Sequence, residues 1–191
     1  MGQEKGLMPF CGKRLIEFVL ETIVQVSDDV IISVAPGKSV MYEKALGHGF
    51  RLAEDKAKGL GPIEGLISAF EVVRSESVLV SPCDTPFLNT SVCDLLISRA
   101  SGKDGAVPRI RGFLEPLHAI YAKKTGLNAF AKTLGEGRRR IVEAFDELDL
   151  VEIDEESVKK VDPSLDSFWN LNTREDILLA EQKMRSKTKR P

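Results

Sequence analysis

Short β-branched runs separated by helix-spaced apolar segments recur along the whole chain, and that alternation leaves few folds open to it. From Lys13 to Val26 the residues Ile16, Val19, Leu20, Ile23 and Val24 share one helical face. The run Val30 to Val34 follows at once and suits a buried parallel strand. A second pair comes next, a helix near Ser39 to Leu46 and a strand near Phe50 to Ala53. The loop Glu54 to Gly61 then leads into a helix whose first position is Pro62 and which runs to about Arg74. Ser77 to Ser81 forms the next central strand, stopped by the two prolines of Pro82-Cys83-Asp84-Thr85-Pro86. The alternation continues with a helix at Thr90 to Ala100, strand-like segments at Gly105 to Val107 and Leu117 to Tyr121, and a helix at Lys124 to Leu134. It ends with a strand at Leu150 to Ile153 and a helix at Thr173 to Arg185, where Thr173 and Asp176 approximate a capping box. This pattern predicts an α/β fold with a doubly wound, mostly parallel sheet, and in such sheets ligands bind outside the carboxyl ends of the strands.

The 191 residues, 42% of them hydrophobic, suffice for one domain over residues 1–186, with 187–191 as a basic, frayed tail. Charge narrows the partners. With 27 basic and 29 acidic side chains the formal net charge is −2, so no global field favours nucleic acid or an anionic membrane. No apolar run approaches the roughly 20 residues that span a bilayer. Cys11, Cys83 and Cys93 form no C-x-x-C pair, which fits reduced thiols and predicts a cytoplasmic protein.

Two acidic residues stand where the fold rule directs attention. Asp84 follows an apolar strand and lies between prolines, so its carboxylate is expected to project into the crevice. It suits Mg²⁺, which takes one or two protein carboxylates and completes its octahedron with water and phosphate oxygens; an Asx turn capping the strand explains the same residue. Asp55 follows another strand and precedes Gly61, Pro62 and Gly65, where a helix N-terminus and small residues allow close approach of a flat ring. An ordinary loop with a standard helix start explains those letters as well. Lys5 reads alone as a solvated charge, His118 as a core or pocket-wall residue, and His48 as a loop residue. Arg138-Arg139-Arg140 is either a solvated helix start or a contact for an acidic substrate.

Taken in order, these segments resemble the molybdenum cofactor guanylyltransferases. Met1-Gly2-x-x-Lys5-Gly6-Leu7 resembles the second half of that family's glycine-rich nucleotide signature, with Gly12-Lys13 following it. Glu54-Asp55 with Gly61-Pro62-Ile63-Glu64-Gly65-Leu66 resembles its base-recognition loop, and Pro82-Cys83-Asp84-Thr85-Pro86 its metal loop. Gly112 with Glu115-Pro116-Leu117-His118-Ala119-Ile120-Tyr121 resembles a recurrent family segment, and Phe168-Trp169-Asn170-Leu171-Asn172-Thr173 its late Asn-x-Asn-Thr turn. The resemblance implies a nucleotidyltransferase fold, with GTP and molybdopterin or Mo-molybdopterin as substrates and Mg²⁺ as cofactor. Molybdenum-cofactor carriers or target enzymes are implied as partners. It assigns Lys5 and Asp84 to catalysis, with Lys5 on the GTP phosphates and Asp84 on the metal. Asp55, Ser33, Gly61, Pro62 and Gly65 are assigned to the nucleotide, and Asn170 and Asn172 to the late turn of the same site. Ser33 stands where an amide side chain is expected, and Gly61-Pro62-x-x-Gly65 favours guanine.

The chemistry such a site must supply is modest. A phosphate monoester has a second pKa of about 6, so the acceptor is already largely an anion and needs no general base. Positioning and charge neutralisation remain. The family pattern opens with an apolar strand and a Leu-Ala-Gly-Gly-x-Ser-x-Arg loop before its Met-Gly, and this sequence has neither. In-frame DNA upstream is therefore expected to encode both, since a doubly wound sheet without its first strand leaves two edges unpaired. A guanylyltransferase acting on a corrinoid or phospholactate acceptor, or a non-catalytic relative, are the alternatives.

Overall fold

The computed structural model describes residues 4–188; Met1, Gly2 and Gln3 of the glycine-rich segment and residues 189–191 of the expected tail lie outside them. The chain enters through a 3-10 turn at Lys5–Leu7 and a two-residue hairpin, β1 (Pro9–Phe10) and β2 (Lys13–Arg14). Cys11 and Gly12 at its tip both have positive φ, 45° and 84°, as a tight turn between right-twisted strands requires. Helix α1 (Leu15–Ile23) follows, then β3 (Ile31–Val34), α2 (Ser39–Leu46), β4 (Arg51–Glu54), α3 (Pro62–Val72) and β5 (Ser77–Val80). Pro62 is the first residue of α3, where its missing N–H costs nothing, and Gly61 before it takes φ 81°.

The second half contains α4 (Thr90–Arg99), β6 (Gly105–Ile110), β7 (Phe113–Leu114), β8 (Ala119–Ala122) and α5 (Lys123–Gly135). A 3-10 stretch at Ile141–Glu147, β9 (Leu150–Ile153), α6 (Glu155–Lys159), a 3-10 turn at Asp166–Phe168 and α7 (Arg174–Thr188) complete it. Helix α7 thus runs on into the first residues of the expected basic tail. The capping box at its start is real: Thr173 N donates to Asp176 Oδ2 at 2.7 Å and Asp176 N to Thr173 Oγ1 at 3.0 Å.

The layered α/β architecture agrees with the sequence pattern, but the sheet is mixed where a mostly parallel one is expected. β3 pairs in parallel with β4, and β6 with β9. β8 lies antiparallel between β5 and β6, because a link of eight residues from β6 is too short for a parallel crossover and can only turn back. One core packs α3 and α5 on the sheet around Phe70, Tyr121 and Phe130, whose rings meet edge to face at 5.6 Å and 5.2 Å. On the other face, α4 contributes Val92 and Leu96 against Ile120 and Ile153.

Among the described residues the β3–β4 sheet and the five-stranded sheet do not join. Among the described residues no strand bridges β3 and β5, and between them lies a cavity of about 260 Å³. Ile31 and Ser33 line one side, Val78 and Val80 the other, with Val19 of α1 and Phe70 of α3 closing it above and below. No described helix is long and apolar enough to cross a membrane.

Candidate active site

The carboxyl ends of β3, β4 and β5 carry two polar clusters. The first forms around Asp84. Beyond β5 the backbone turns through Pro82 and Pro86, with Thr85 Oγ1 donating to the Pro82 carbonyl at 3.3 Å. This folds Asp84 inward, so that it is 9% exposed. Its Oδ2 accepts from Lys5 Nζ, which also donates to Asn172 Oδ1 at 2.6 Å. Leu171 N donates to the Asp84 carbonyl at 3.0 Å, which fixes the late Asn-x-Asn-Thr turn against the Asp84 loop. Three residues separated by as many as 167 positions in the chain therefore meet at one point.

The second cluster is the pair Ser33 and Asp55 above Gly65. Ser33 Oγ donates to Asp55 Oδ1 at 3.2 Å. Partial burial raises the Asp55 pKa, and the Ser33 hydroxyl offsets part of that rise. Gly65 leaves room for this pair: a Cβ on it would stand 2.7 Å from Ser33 Oγ and displace the hydroxyl. Gly61 and Pro62 open onto the same edge, and Arg139 Nη1 donates to the Gly59 carbonyl at 3.1 Å. Arg139 thus braces the Asp55–Pro62 loop, and Arg138 is spent on Glu136 and the Glu143 carbonyl. Glu54 closes the neighbouring loop by accepting from Gly37 N at 2.7 Å and from Ser39 Oγ.

Beside the Lys5–Asp84–Asn172 cluster opens a cavity of about 340 Å³, walled by Arg111, Phe113, Glu115, Trp169, Asn170 and Asn172 among others. Glu115 lies in the segment that resembles a recurrent family motif. Its loop is held by Glu115 N donating to the Pro108 carbonyl at 2.9 Å and by Tyr121 Oη donating to the Pro116 carbonyl at 2.8 Å. Two non-glycine residues with left-handed backbone, Arg111 at φ 51° and Leu165 at φ 54°, line this cavity. Phe113 at its rim is 74% exposed.

His118 is buried, as a core residue would be, yet it is not satisfied. Among the described residues neither ring nitrogen has a hydrogen-bond partner, and its Nδ1 stands 4.0 Å from Glu115 Oε2. Burial lowers its pKa to about 4, the nearby Ser167 backbone pulling weakly the other way, so the ring is neutral near pH 7. Its other close neighbour is Phe168, with ring centroids 4.9 Å apart. His48 lies exposed in a loop. Among the described residues no group of three or more His, Cys, Asp or Glu is arranged to hold a metal ion.

Comparison with known proteins places this geometry in context. The model of the MobA-like NTP transferase domain matches residues 1–150. A probable molybdenum cofactor guanylyltransferase of Methanosarcina acetivorans is 36% identical over 181 residues, which cover 91% of this chain and 80% of that protein. The molybdenum cofactor guanylyltransferase of Desulfosudis oleivorans is 32% identical, covering 94% and 87%. Among solved structures, molybdopterin-guanine dinucleotide biosynthesis protein A from Archaeoglobus fulgidus superposes with a TM-score of 0.82 at 28% identity, covering 97% of this chain and 92% of that one. The 2-C-methyl-D-erythritol 4-phosphate cytidylyltransferase of Thermus thermophilus, at 17% identity and a TM-score of 0.73, covers 96% and 95% and shares the fold.

Proposed function

Because the chain belongs to the MobA-like NTP transferase family, we propose that it transfers GMP from GTP to the phosphate of molybdopterin or Mo-molybdopterin. An acceptor phosphate oxygen attacks the α-phosphorus of GTP, the bond from that phosphorus to the bridging oxygen breaks, and pyrophosphate leaves with the bond's electrons. Molybdopterin guanine dinucleotide is the other product. The observation that carries this reading is the meeting of Lys5, Asp84 and Asn172 at one point beside an aromatic-walled cavity.

The oxygens of Asp84 and Asn172 already converge on one cation, the Lys5 ammonium. Hard oxygen donors in that number fit Mg²⁺, which keeps the rest of its shell for water and phosphate. Magnesium held there supplies charge neutralisation at the α-phosphate and the departing pyrophosphate. Lys5 exchanges its bond to Asp84 for the GTP phosphates when nucleotide enters. Ser33 and Asp55 face the guanosine, and Gly61, Pro62 and Gly65 let the base lie close to the backbone. No side chain has to take a proton from the acceptor, which agrees with a His118 held neutral and buried. We assign the reaction to the cytoplasm, where three free cysteines stay reduced.

The test is direct. Protein, Mg²⁺, molybdopterin and either GTP, CTP or ATP are mixed, and the dinucleotide product is resolved by chromatography. Transfer from GTP in clear preference to the other two is expected. Equal transfer from all three, or transfer only to a phosphorylated acceptor other than a pterin, overturns the reading.

A further inference from the structure

Glu115 and His118 remain unexplained by the transfer chemistry, and they are adjacent. Glu115 is half buried in the wall of the aromatic cavity, and among the described residues no donor reaches its carboxylate within hydrogen-bonding distance. His118, behind it, is 2% exposed with both ring nitrogens unpartnered. A half-buried carboxylate that no donor among the described residues reaches, set in the wall of a cavity in front of a buried histidine, is open to a partner that arrives with the ligand. Burial raises the Glu115 pKa, with the Arg111 charge opposing. Both groups thus gain from a donor-bearing guest.

We propose that Glu115 is the residue that selects the acceptor, its carboxylate accepting two hydrogen bonds from the adjacent N3–H and 2-amino groups of a 2-amino-4-oxo-pyrimidine edge, and that His118 is the positioning residue behind it. The inference rests on the proposed function, since it takes the acceptor to be a pterin. The chemistry is specific. A carboxylate has two parallel lone-pair directions, and the aminopyrimidinone edge presents two parallel N–H donors, which gives the paired charge-assisted geometry that a lone hydroxyl or amide cannot match. Phe113 and Trp169 offer flat apolar surfaces to the ring. Asn172 belongs both to this cavity and to the Lys5–Asp84 cluster, so a ring seated on Glu115 directs its phosphate side chain toward the reacting centre.

Trp169 is the only tryptophan in the chain, and it lines the cavity, so its fluorescence reports occupancy. The probes are pterin and lumazine, which differ in that lumazine carries a 2-oxo group where pterin carries the 2-amino group. The full chain is titrated with each, with thermal unfolding and GTP calorimetry as controls for fold and for the nucleotide side. Trp169 quenching is expected to show a preference for pterin of at least about tenfold, as befits hydrogen bonds to a charged group. Glu115→Gln, whose amide accepts at one atom and donates at the other, is expected to invert that preference toward lumazine. Glu115→Asp should keep the sign of the preference and weaken binding. His118→Leu should reduce the pterin-to-lumazine ratio while GTP affinity stays within about twofold, and His118→Gln should restore part of it.

Equal affinity of the unaltered protein for the two rings, or a Glu115→Gln variant that folds and still prefers pterin, overturns the proposal. Guanylyl transfer to molybdopterin that continues in either of those cases leaves the proposed function standing. Failure of the unaltered protein to transfer GMP is failure of that reading instead, so the two are distinguishable.

Discussion

The two regions that we assign to the nucleotide and to the acceptor are built on opposite plans. Around Asp55 the polar groups are already paired: Ser33 donates to Asp55, Lys56 N donates to Glu64 Oε1 at 3.0 Å, and Arg139 holds the Gly59 carbonyl. Around Glu115 they are not, and the backbone there carries two left-handed non-glycine residues with an exposed phenylalanine at the rim. The paired side is set before anything binds and discriminates through shape and close approach to backbone. On the proposed reading, the unpaired side holds polar groups whose partners come with the ligand, so it would discriminate through what a ligand supplies. Lys5, Asp84 and Asn172 form the hinge of the comparison, since their groups are paired with one another and must be re-paired when substrate enters.

The largest expected effect is at that hinge. Asp84→Asn keeps the size of the side chain and an oxygen that accepts from Lys5, but it removes the formal charge that holds Mg²⁺ against water. Single-turnover formation of the dinucleotide is expected to fall by at least about a thousandfold, on the order of 4 kcal/mol of barrier. The thermal unfolding midpoint should move little, because the asparagine keeps the size of the carboxylate and an oxygen that accepts from Lys5 Nζ. Near-normal turnover at limiting Mg²⁺ would remove Asp84 from the metal site and leave it as a cap on β5.

The acceptor side is tested next through pH. His118 has a folded pKa of about 4, below the 6.5 of the free side chain, because burial disfavours its charged form. Its contribution to stability is therefore complete above about pH 6.5 and is lost as pH falls toward 4, while the unfolded chain takes up the proton first. The full loss is about 3 kcal/mol. Glu115 opposes it: burial raises its pKa, so its penalty is present at neutral pH and is relieved on acidification. His118→Leu should flatten the stability profile between pH 6.5 and 4 relative to the unaltered protein, measured by denaturant unfolding across that range. Parallel profiles would show that the ring is solvated and that the acceptor side is not under-paired.

The smallest effect probes the paired side. Gly65→Ala introduces a Cβ 2.7 Å from Ser33 Oγ and 3.7 Å from Asp55 Oδ1. The serine hydroxyl can rotate away, and alanine is the better helix former by about 1 kcal/mol, so stability should change by less than that. The rotation breaks the Ser33–Asp55 bond, and calorimetric GTP affinity is expected to fall about tenfold. Unchanged GTP binding would show that this pair does not set the nucleotide side.

The two sides also differ in how far the sequence exposes them. The nucleotide side follows from βα units, where apolar period and a Gly-Pro helix start specify β3, β4 and α3 almost to the residue. Asp55 and Ser33 meet there above Gly65, and Lys5, Asp84 and Asn172, which the family resemblance assigns to one site, are hydrogen-bonded to one another. The acceptor side is formed by hairpins and 3-10 turns with no apolar period. The hairpin of β6 and β7, the 3-10 stretch at Ile141–Glu147 and helix α6 escape a reading based on periodicity. An Arg-Gly pair at 111 and 112 is the one local signal of that hairpin, since a two-residue turn there needs positive φ at both positions. The burial of Asp84 is invisible in the sequence because Lys5 and Asn172, which cover it, are distant in the chain. The lack of partners at His118 is equally invisible, since a strand-like apolar context says that a histidine is buried and nothing about what its nitrogens meet.

The cavity between β3 and β5 has a consequence for where the backbone is quiet. In most open sheets the middle strands guard their amide protons longest, because both flanks of each strand are bonded, and protection fades toward the rim. Here β6 is bonded on both flanks, by β8 and β9, and its amides should exchange only with global opening. β3 and β5, central by position, each present one flank to the cavity with no strand upon it among the described residues. Amides of β3 and β5 are therefore expected to exchange before those of β6 when deuterium uptake is measured.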